Sequence, residues 1–186
     1  MANPDSIALA ASAEAEGLES VLVGGNAVNL HAYLRTTFDV DLLVREGDSE
    51  RWLSFFKQHG YTVFHRTGNF IRLRFAADPT AALPVDLMLA DAETFSKIRG
   101  ESRRCDIGKG LNLLIPSPLH LIAMKLHALR SPQRFETGVD LQDVKHLIKA
   151  AKIDTSSSEF TEIVERYATE TIRTRILDEL GEESDS

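Results

Sequence analysis

Residues 18–44 read LESVLVGGNAVNLHAYLRTTFDVDLLV, and the fold turns on how this stretch is parsed. Leu18 to Val23 is short, apolar and β-branched and stops at Gly24-Gly25, which predicts a buried strand ending in a tight turn. Asn26 to Leu34 carries apolar side chains at Ala27, Val28, Leu30 and Leu34, a helical spacing. Phe38 to Val44 reads as a second strand, with Phe38, Val40 and Leu42 alternating with Asp39, Asp41 and Leu43. Asp39 and Asp41 therefore project to one side, with Cα atoms about 6–7 Å apart. Two ionised carboxylates at that separation repel by roughly 2–3 kcal/mol at the effective dielectric of a protein surface. A wet edge tolerates this, whereas a cleft needs a cation. Hard oxygen donors on a rigid strand suit Mg²⁺, which takes few protein ligands and keeps waters and substrate phosphates. Gly24-Gly25, where strand gives way to helix, leaves backbone N–H groups open to a phosphate with no Cβ in the way.

A third acid belongs with these two. Asp86 is the one charge in Leu83-Pro84-Val85-Asp86-Leu87-Met88-Leu89, and an isolated carboxylate in an apolar strand is costly unless it is paired or at a site. If that strand neighbours Phe38 to Val44, the three carboxylates converge. Two then hold a metal, and the third takes the proton of an attacking hydroxyl. The bland alternative pairs Asp86 with Arg72 or Arg74, which share one face of Ile71-Arg72-Leu73-Arg74-Phe75. The same two arginines suit either a phosphate contact or a solvated strand face.

Outward from this centre, helices are expected over 5–16, 49–59 and 92–99, a hairpin over 61–65 and 69–75 turned at Thr67-Gly68-Asn69, and strand pieces around Gly108-Lys109-Gly110. From Pro116 the periodicity is helical, over 118–130, 138–152 and 158–180, with Ser131-Pro132 and a serine-rich stretch between. The pattern predicts an α/β (α+β) chain: a mixed sheet with flanking helices over 1–115, a helical subdomain over 116–180, and a disordered acidic tail over 181–186.

The chain has 186 residues, 43% of them hydrophobic and 26% charged, an ordinary globular balance. With 28 acids against 21 Lys and Arg the net charge is −7, which argues against a nucleic-acid coat but not against a local basic patch. The single cysteine, Cys105, excludes an intrachain disulfide and fits a reducing compartment. No apolar run approaches a membrane span and the N-terminus lacks a basic leader start, so no membrane contact is expected and the cytoplasm is the default compartment. His120, His127 and His146 lack metal-ligand spacing, and zinc is not expected. Arg99, Arg103, Arg104 and Lys109 form a basic cluster, read as an ordinary surface cluster ahead of an RNA-backbone patch.

Gly24-Gly25, Arg35-x-Thr37-x-Asp39-x-Asp41 and Val85-Asp86-Leu87 resemble the DNA polymerase β-like nucleotidyltransferase superfamily, whose core motif is Gly-Gly or Gly-Ser, a spacer, Asp-x-Asp and a later acid. The Arg-x-Thr-x-Asp-x-Asp form resembles its AbiEii-type toxin branch. So do Ile115-Pro116-Ser117-Pro118 with the following Leu119-to-Ala128 helix, and Val139-Asp140-Leu141-Gln142-Asp143. The likeness spans roughly residues 18 to 150 and departs at Gly138-Val139, where the branch carries a basic pair.

This resemblance implies a nucleotidyltransferase-type fold and an NTP-dependent transferase using Mg²⁺, with Mn²⁺ as a substitute. Asp39, Asp41 and Asp86 would be the metal ligands, with Asp86 alternatively the general base. Gly24, Gly25 and Asn26 would shape the phosphate-binding turn. Lys125 would reach the triphosphate, Asp143 would orient it, and Arg35 and Thr37 would buttress the Asp-x-Asp strand. The implied acceptor is tRNA or another RNA, and the implied partner a cognate antitoxin. Lys125 snorkelling to solvent and Asp143 as an exposed helical acid are the plain alternatives. An antibiotic nucleotidyltransferase of the aminoglycoside or lincosamide kind, or a nucleotide-binding module without catalysis, are the rival functions.

Overall fold

The computed structural model describes residues 5–108 and 110–182. The chain divides into two compact units, Met1–Ala27 with Arg35–Ser117, and Val28–Leu34 with Pro118–Ser186.

The first unit is an α/β unit built on a mixed sheet. Among the described residues the sheet has seven strands: β1 Ser20–Leu22, β2 Val40–Arg45, β3 Tyr61–Arg66, β4 Phe70–Phe75, β5 Val85–Ala90, β6 Arg103–Gly108 and β7 Leu111–Ile115. Their spatial order is β3-β4-β5-β2-β1-β7-β6. β2 runs parallel to β5 and β1 parallel to β7, while the other neighbours are antiparallel. The central strands β1, β2 and β5 are the most apolar, because both of their faces are covered. Leu42, Leu87, Ile71 and Leu73 are fully buried on the sheet, and Trp52, Phe56 and Phe95 bury against it from helices.

The helices of this unit are α1 Ser6–Ser12, α3 Ser49–Gln58 and α4 Ala92–Gly100, with the first turn of α2 Gly24–His31, whose residues from Val28 belong to the second unit. Asp5 caps α1 by accepting from the Ala8 N–H, and Asp91 caps α4 by accepting from Thr94. Two readings shift here. The helix expected over 5–16 breaks into α1 and a 3-10 turn at Ala13–Glu16, closed by Gly17 at φ +70°. The glycines expected to form a turn ahead of the second helix instead form its first two residues, and that helix stops at His31.

The second unit is helical: α5 Pro118–Ala128, α6 Pro132–Thr137, α7 Val139–Ala150, α8 Ser158–Tyr167 and α9 Glu170–Glu182. α5 packs on α7 and α8, and α7 on α9, around Leu121, Leu126, Val144, Leu147 and Ile176. The separator at Ser131-Pro132 proves to start a short helix, with proline at its first turn where the missing N–H costs nothing. The single helix expected over 158–180 is two. Ala168 turns extended at ψ 144°, and the Thr169 hydroxyl accepts from Ile172 N at 3.4 Å, restarting the chain as α9. α9 runs on to Glu182, past the expected start of the acidic tail; residues 183–186 of that tail, and Lys109, lie outside the described residues. Among the described residues no helix is long and apolar enough to cross a membrane.

Candidate functional site

Strand register assembles the acids. Arg72 on β4 pairs with Asp86 on β5, and Asp86 pairs with Asp41 on β2. Register partners on neighbouring strands face the same way, so the three stand in one row across the sheet. Asp39, two residues before Asp41, joins them from just ahead of β2. One carboxylate oxygen from each of Asp39, Asp41 and Asp86 lies within 4.8 Å of the others, and this is the one such metal-capable group of three among the described residues. Asp86 is only 2% exposed, while Asp39 and Asp41 are half-buried.

Arg72 is the counter-ion of the row. Its Nε donates to Asp86 Oδ1 at 2.7 Å, its Nη2 donates to Asp86 Oδ2, and the same Nη2 reaches Asp39 Oδ2 at 3.3 Å. The Asp86 bonds, with the fields of all three carboxylates, push the already high pKa of Arg72 further up against the opposing effect of burial. The structure thus resolves the choice of arginine in favour of Arg72, and it keeps Asp86 in the cluster as well. The three carboxylates offer a set of hard oxygens within reach of one another. That donor set fits a divalent cation such as Mg²⁺.

The glycines are required by contact. A Cβ on Gly24 would lie 1.9 Å from Asp41 Oδ2, and Gly24 sits at φ +62°, a region that disfavours side chains. A Cβ on Gly25 would fall 2.5 Å from Thr37 Cγ2 and 2.9 Å from Arg35 Nη2. The start of α2 therefore presses directly on the Asp-x-Asp segment. Asn26 ties the two together: its Nδ2 donates to the Asp39 carbonyl at 2.8 Å, and its Oδ1 accepts from Thr37 Oγ1 at 3.1 Å. Val23 N–H donates to the Asp41 carbonyl at 2.9 Å. Gly24 and Asn26 are thus brought directly to the Asp-x-Asp segment, with Thr37 tied to Asn26, while Gly25 lies against Thr37 and Arg35.

Lys125 and Asp143 are brought to each other in the helical unit. Lys125 is 5% exposed, not snorkelling, and its Nζ donates to Asp140 Oδ1 at 2.7 Å and lies 2.8 Å from Asp143 Oδ2. Asp143 is fully buried and also accepts from Tyr33 Oη at 2.8 Å. Arg134 holds the other side of Asp140 at 2.7 Å, and His146 stacks on Tyr33 with ring centroids 3.9 Å apart. Sequence reasoning gave no role to Asp140, Arg134 or Tyr33. The three-residue spacing of Asp140 and Asp143, which puts both on one helix face, was the available signal for Asp140. Of the basic cluster, Arg99 pairs with Glu19 at 2.6 Å and Arg104 pairs with Glu14, so these two are neutralised at the surface.

No protein-family model matches the sequence, and no curated protein sequence matches it. Solved structures do. ANT(2'')-Ia in complex with adenylyl-2''-tobramycin superposes with a TM-score of 0.67 at 14% identity, over 88% of this chain and 97% of that one. An antigenic nucleotidyltransferase-like protein from Paracoccidioides brasiliensis gives 0.57 at 15% identity, over 87% and 84%. The lincosamide antibiotic adenylyltransferase LnuA, bound to lincomycin, gives 0.55 at 14%, over 76% and 93%. At such identities the likeness is one of fold, and the fold of this chain is the nucleotidyltransferase fold. The expected α/β architecture with a mixed sheet and flanking helices is what the structure has.

Proposed function

We propose that the chain is a metal-dependent nucleotidyltransferase that moves a nucleoside monophosphate from an NTP to a hydroxyl of RNA, specifically tRNA, as the toxin of a toxin–antitoxin pair. The observation that carries the enzymatic reading is the gathering of Asp39, Asp41 and Asp86 within 4.8 Å of one another.

Asp39 and Asp41 would hold the cation from their half-buried position, with Asp86 as third ligand or as base. Bound there, Mg²⁺ supplies charge neutralisation of the triphosphate and of the leaving group. The α2 N-terminus at Gly24-Gly25 offers unpaired backbone N–H groups to the phosphates. The acceptor oxygen attacks the α-phosphorus, the bond from that phosphorus to the bridging oxygen breaks, and pyrophosphate leaves. The hydroxyl proton passes to Asp86, whose orientation Arg72 sets through two donors. Lys125 is the triphosphate contact from the helical unit and Asp143 its orienter. A lysine ammonium has three N–H donors, and the two carboxylates engage two of them.

The RNA and toxin parts of the reading, and a protein antitoxin as partner, rest on the resemblance in the Arg35-to-Asp41 and Pro118-to-Asp143 motifs. A second reading, an antibiotic nucleotidyltransferase, draws support from the drug-bound structures that share the fold. Incubation with each α-labelled NTP, Mg²⁺ or Mn²⁺, and in turn total RNA, total protein, tobramycin or lincomycin separates them. Label in tRNA that is lost in Asp41→Asn supports the first reading. Label on a drug alone transfers the assignment to the second. No label with any acceptor overturns both and leaves a nucleotide-binding module.

A further inference from the structure

The acidic row does not end at Arg72. Phe70, Arg72 and Arg74 alternate along β4 with the buried Ile71 and Leu73, so they share the face that carries Asp86. On the edge strand β3, His65 is the register partner of Arg72 and Thr62 that of Arg74. The irregularity between Val63 and His65 leaves Phe64 57% exposed, and the Arg74 guanidinium lies over its ring at 3.4 Å. His65 faces Phe70 with centroids 6.3 Å apart, and Arg72 lies 5.9 Å from the same ring.

Charge separates this face from the rest of the chain. Residues 60–77 contain Arg66, Arg72, Arg74 and His65 and no Asp or Glu, in a chain with 28 acids and 21 Lys and Arg. Arg66 is paired to Glu50 at 3.0 Å and Arg72 to the acidic cluster. Arg74, among the described residues, has the Phe64 ring and no carboxylate. Arg99 and Arg104, in the basic cluster that stands out in the sequence, have their acids.

We propose that the open face of β3 and β4, from His65 and Phe70 to Arg74 on Phe64, binds single-stranded nucleic acid whose terminal hydroxyl is the acceptor, a proposal that rests on the nucleotidyltransferase reading. Exposed rings take bases by stacking regardless of sequence, and a guanidinium already stacked on a ring presents its N–H edge to a phosphate. A polycationic amino sugar meets only like charges here. The face is continuous with the reacting centre through Arg72, so a strand lying along it ends at the acids.

The test reads binding without turnover, in the full chain carrying Asp41→Asn. A fluorescent 12-nucleotide single-stranded RNA is titrated by anisotropy at several salt concentrations. Phe64→Ala and Arg74→Gln are each expected to weaken binding about 5-fold or more. Arg74→Gln also lowers the slope of log affinity against log salt by about 1. Arg104→Gln, in the paired cluster, leaves both unchanged. Photocross-linking of 4-thiouridine RNA to the unsubstituted β3–β4 hairpin is expected to fall on residues 61–75, and this readout does not depend on any hairpin variant folding. Unaltered affinity in both hairpin variants, cross-links that fall only elsewhere, or displacement of the RNA by tobramycin with the same variant dependence overturns the proposal. RNA held here with no nucleotide transferred to any acceptor removes the enzymatic reading and leaves the binding face. Transfer to RNA that is indifferent to Phe64 and Arg74 does the reverse.

Discussion

Two clusters of buried and half-buried charge, one in each unit, are made of the same ingredients and are built for different ends. In the α/β unit, Asp39, Asp41 and Asp86 face one another, with Arg72 bridging Asp86 and Asp39. In the helical unit, Lys125 lies between Asp140 and Asp143, and Arg134 pairs with Asp140. The first is left open at Asp39 and Asp41, whereas the second is closed over at Lys125, Asp140 and Asp143. Carboxylates partly open to water can take a cation, whereas buried carboxylates already paired to a buried lysine are compensated where they stand. Exposure separates the two: the first fits the proposed reacting centre, and the second is a buried network around Lys125.

The largest effect that can break this contrast is on turnover. Asp41→Asn is expected to lower nucleotide transfer by roughly 10³-fold, while the thermal midpoint stays level or rises because a carboxylate repulsion has gone. Transfer within tenfold of the original removes Asp41 from the reacting centre. Next in size is the anchor: Lys125→Met strips two buried carboxylates of their shared cation and should cost about 3–5 kcal/mol in urea unfolding. A loss under 1 kcal/mol there would show that water reaches the network. Divalent ions sharpen the comparison from the other side. Mg²⁺ at a hundred times its dissociation constant stabilises the chain by about 2.7 kcal/mol, an effect reversed by chelator and absent in Asp41→Asn, while Lys125→Met keeps the Mg²⁺ increment.

The smallest effect belongs to the exposed pair Arg104–Glu14, the control for both. The hydrogen bond and charge of Arg104 hold the Glu14 carboxyl below its ordinary 4.5. A depressed carboxyl stabilises the fold above that value and loses its contribution as pH falls through the folded one. Arg104→Ala should therefore leave the midpoint at pH 7 almost unchanged and slightly flatten its decline on the acid limb. A drop comparable to that of Lys125→Met would contradict the surface assignment.

Much of the site was legible because it is written in local spacing. The alternation that puts Asp39 and Asp41 on one side, the lone charge of Asp86 in an apolar strand, and a glycine pair between strand and helix all follow from residues close in sequence. The partners were not legible. Arg72 and Arg74 are equivalent by periodicity, and only the antiparallel register of β4 on β5 gives Asp86 to Arg72 and leaves Arg74 to Phe64. Lys125 reads as a triphosphate contact by resemblance or as a snorkelling helix lysine, and only the fold sets Asp140 and Asp143, fifteen and eighteen residues on, against it. The basic cluster at 99–109 was the more visible one in the sequence, yet Glu14 and Glu19 pair two of its arginines, while the hairpin at 61–75 keeps Arg74 without an acid among the described residues.

The sequence by itself determined the strand-turn-helix start, the alternating acids and the helical character of the second half, because propensity and periodicity act over a few residues. Only the tertiary structure decided which charges meet, why Gly24 must lack a side chain, and where a sheet face free of acids lies, because those depend on register and packing between segments tens of residues apart.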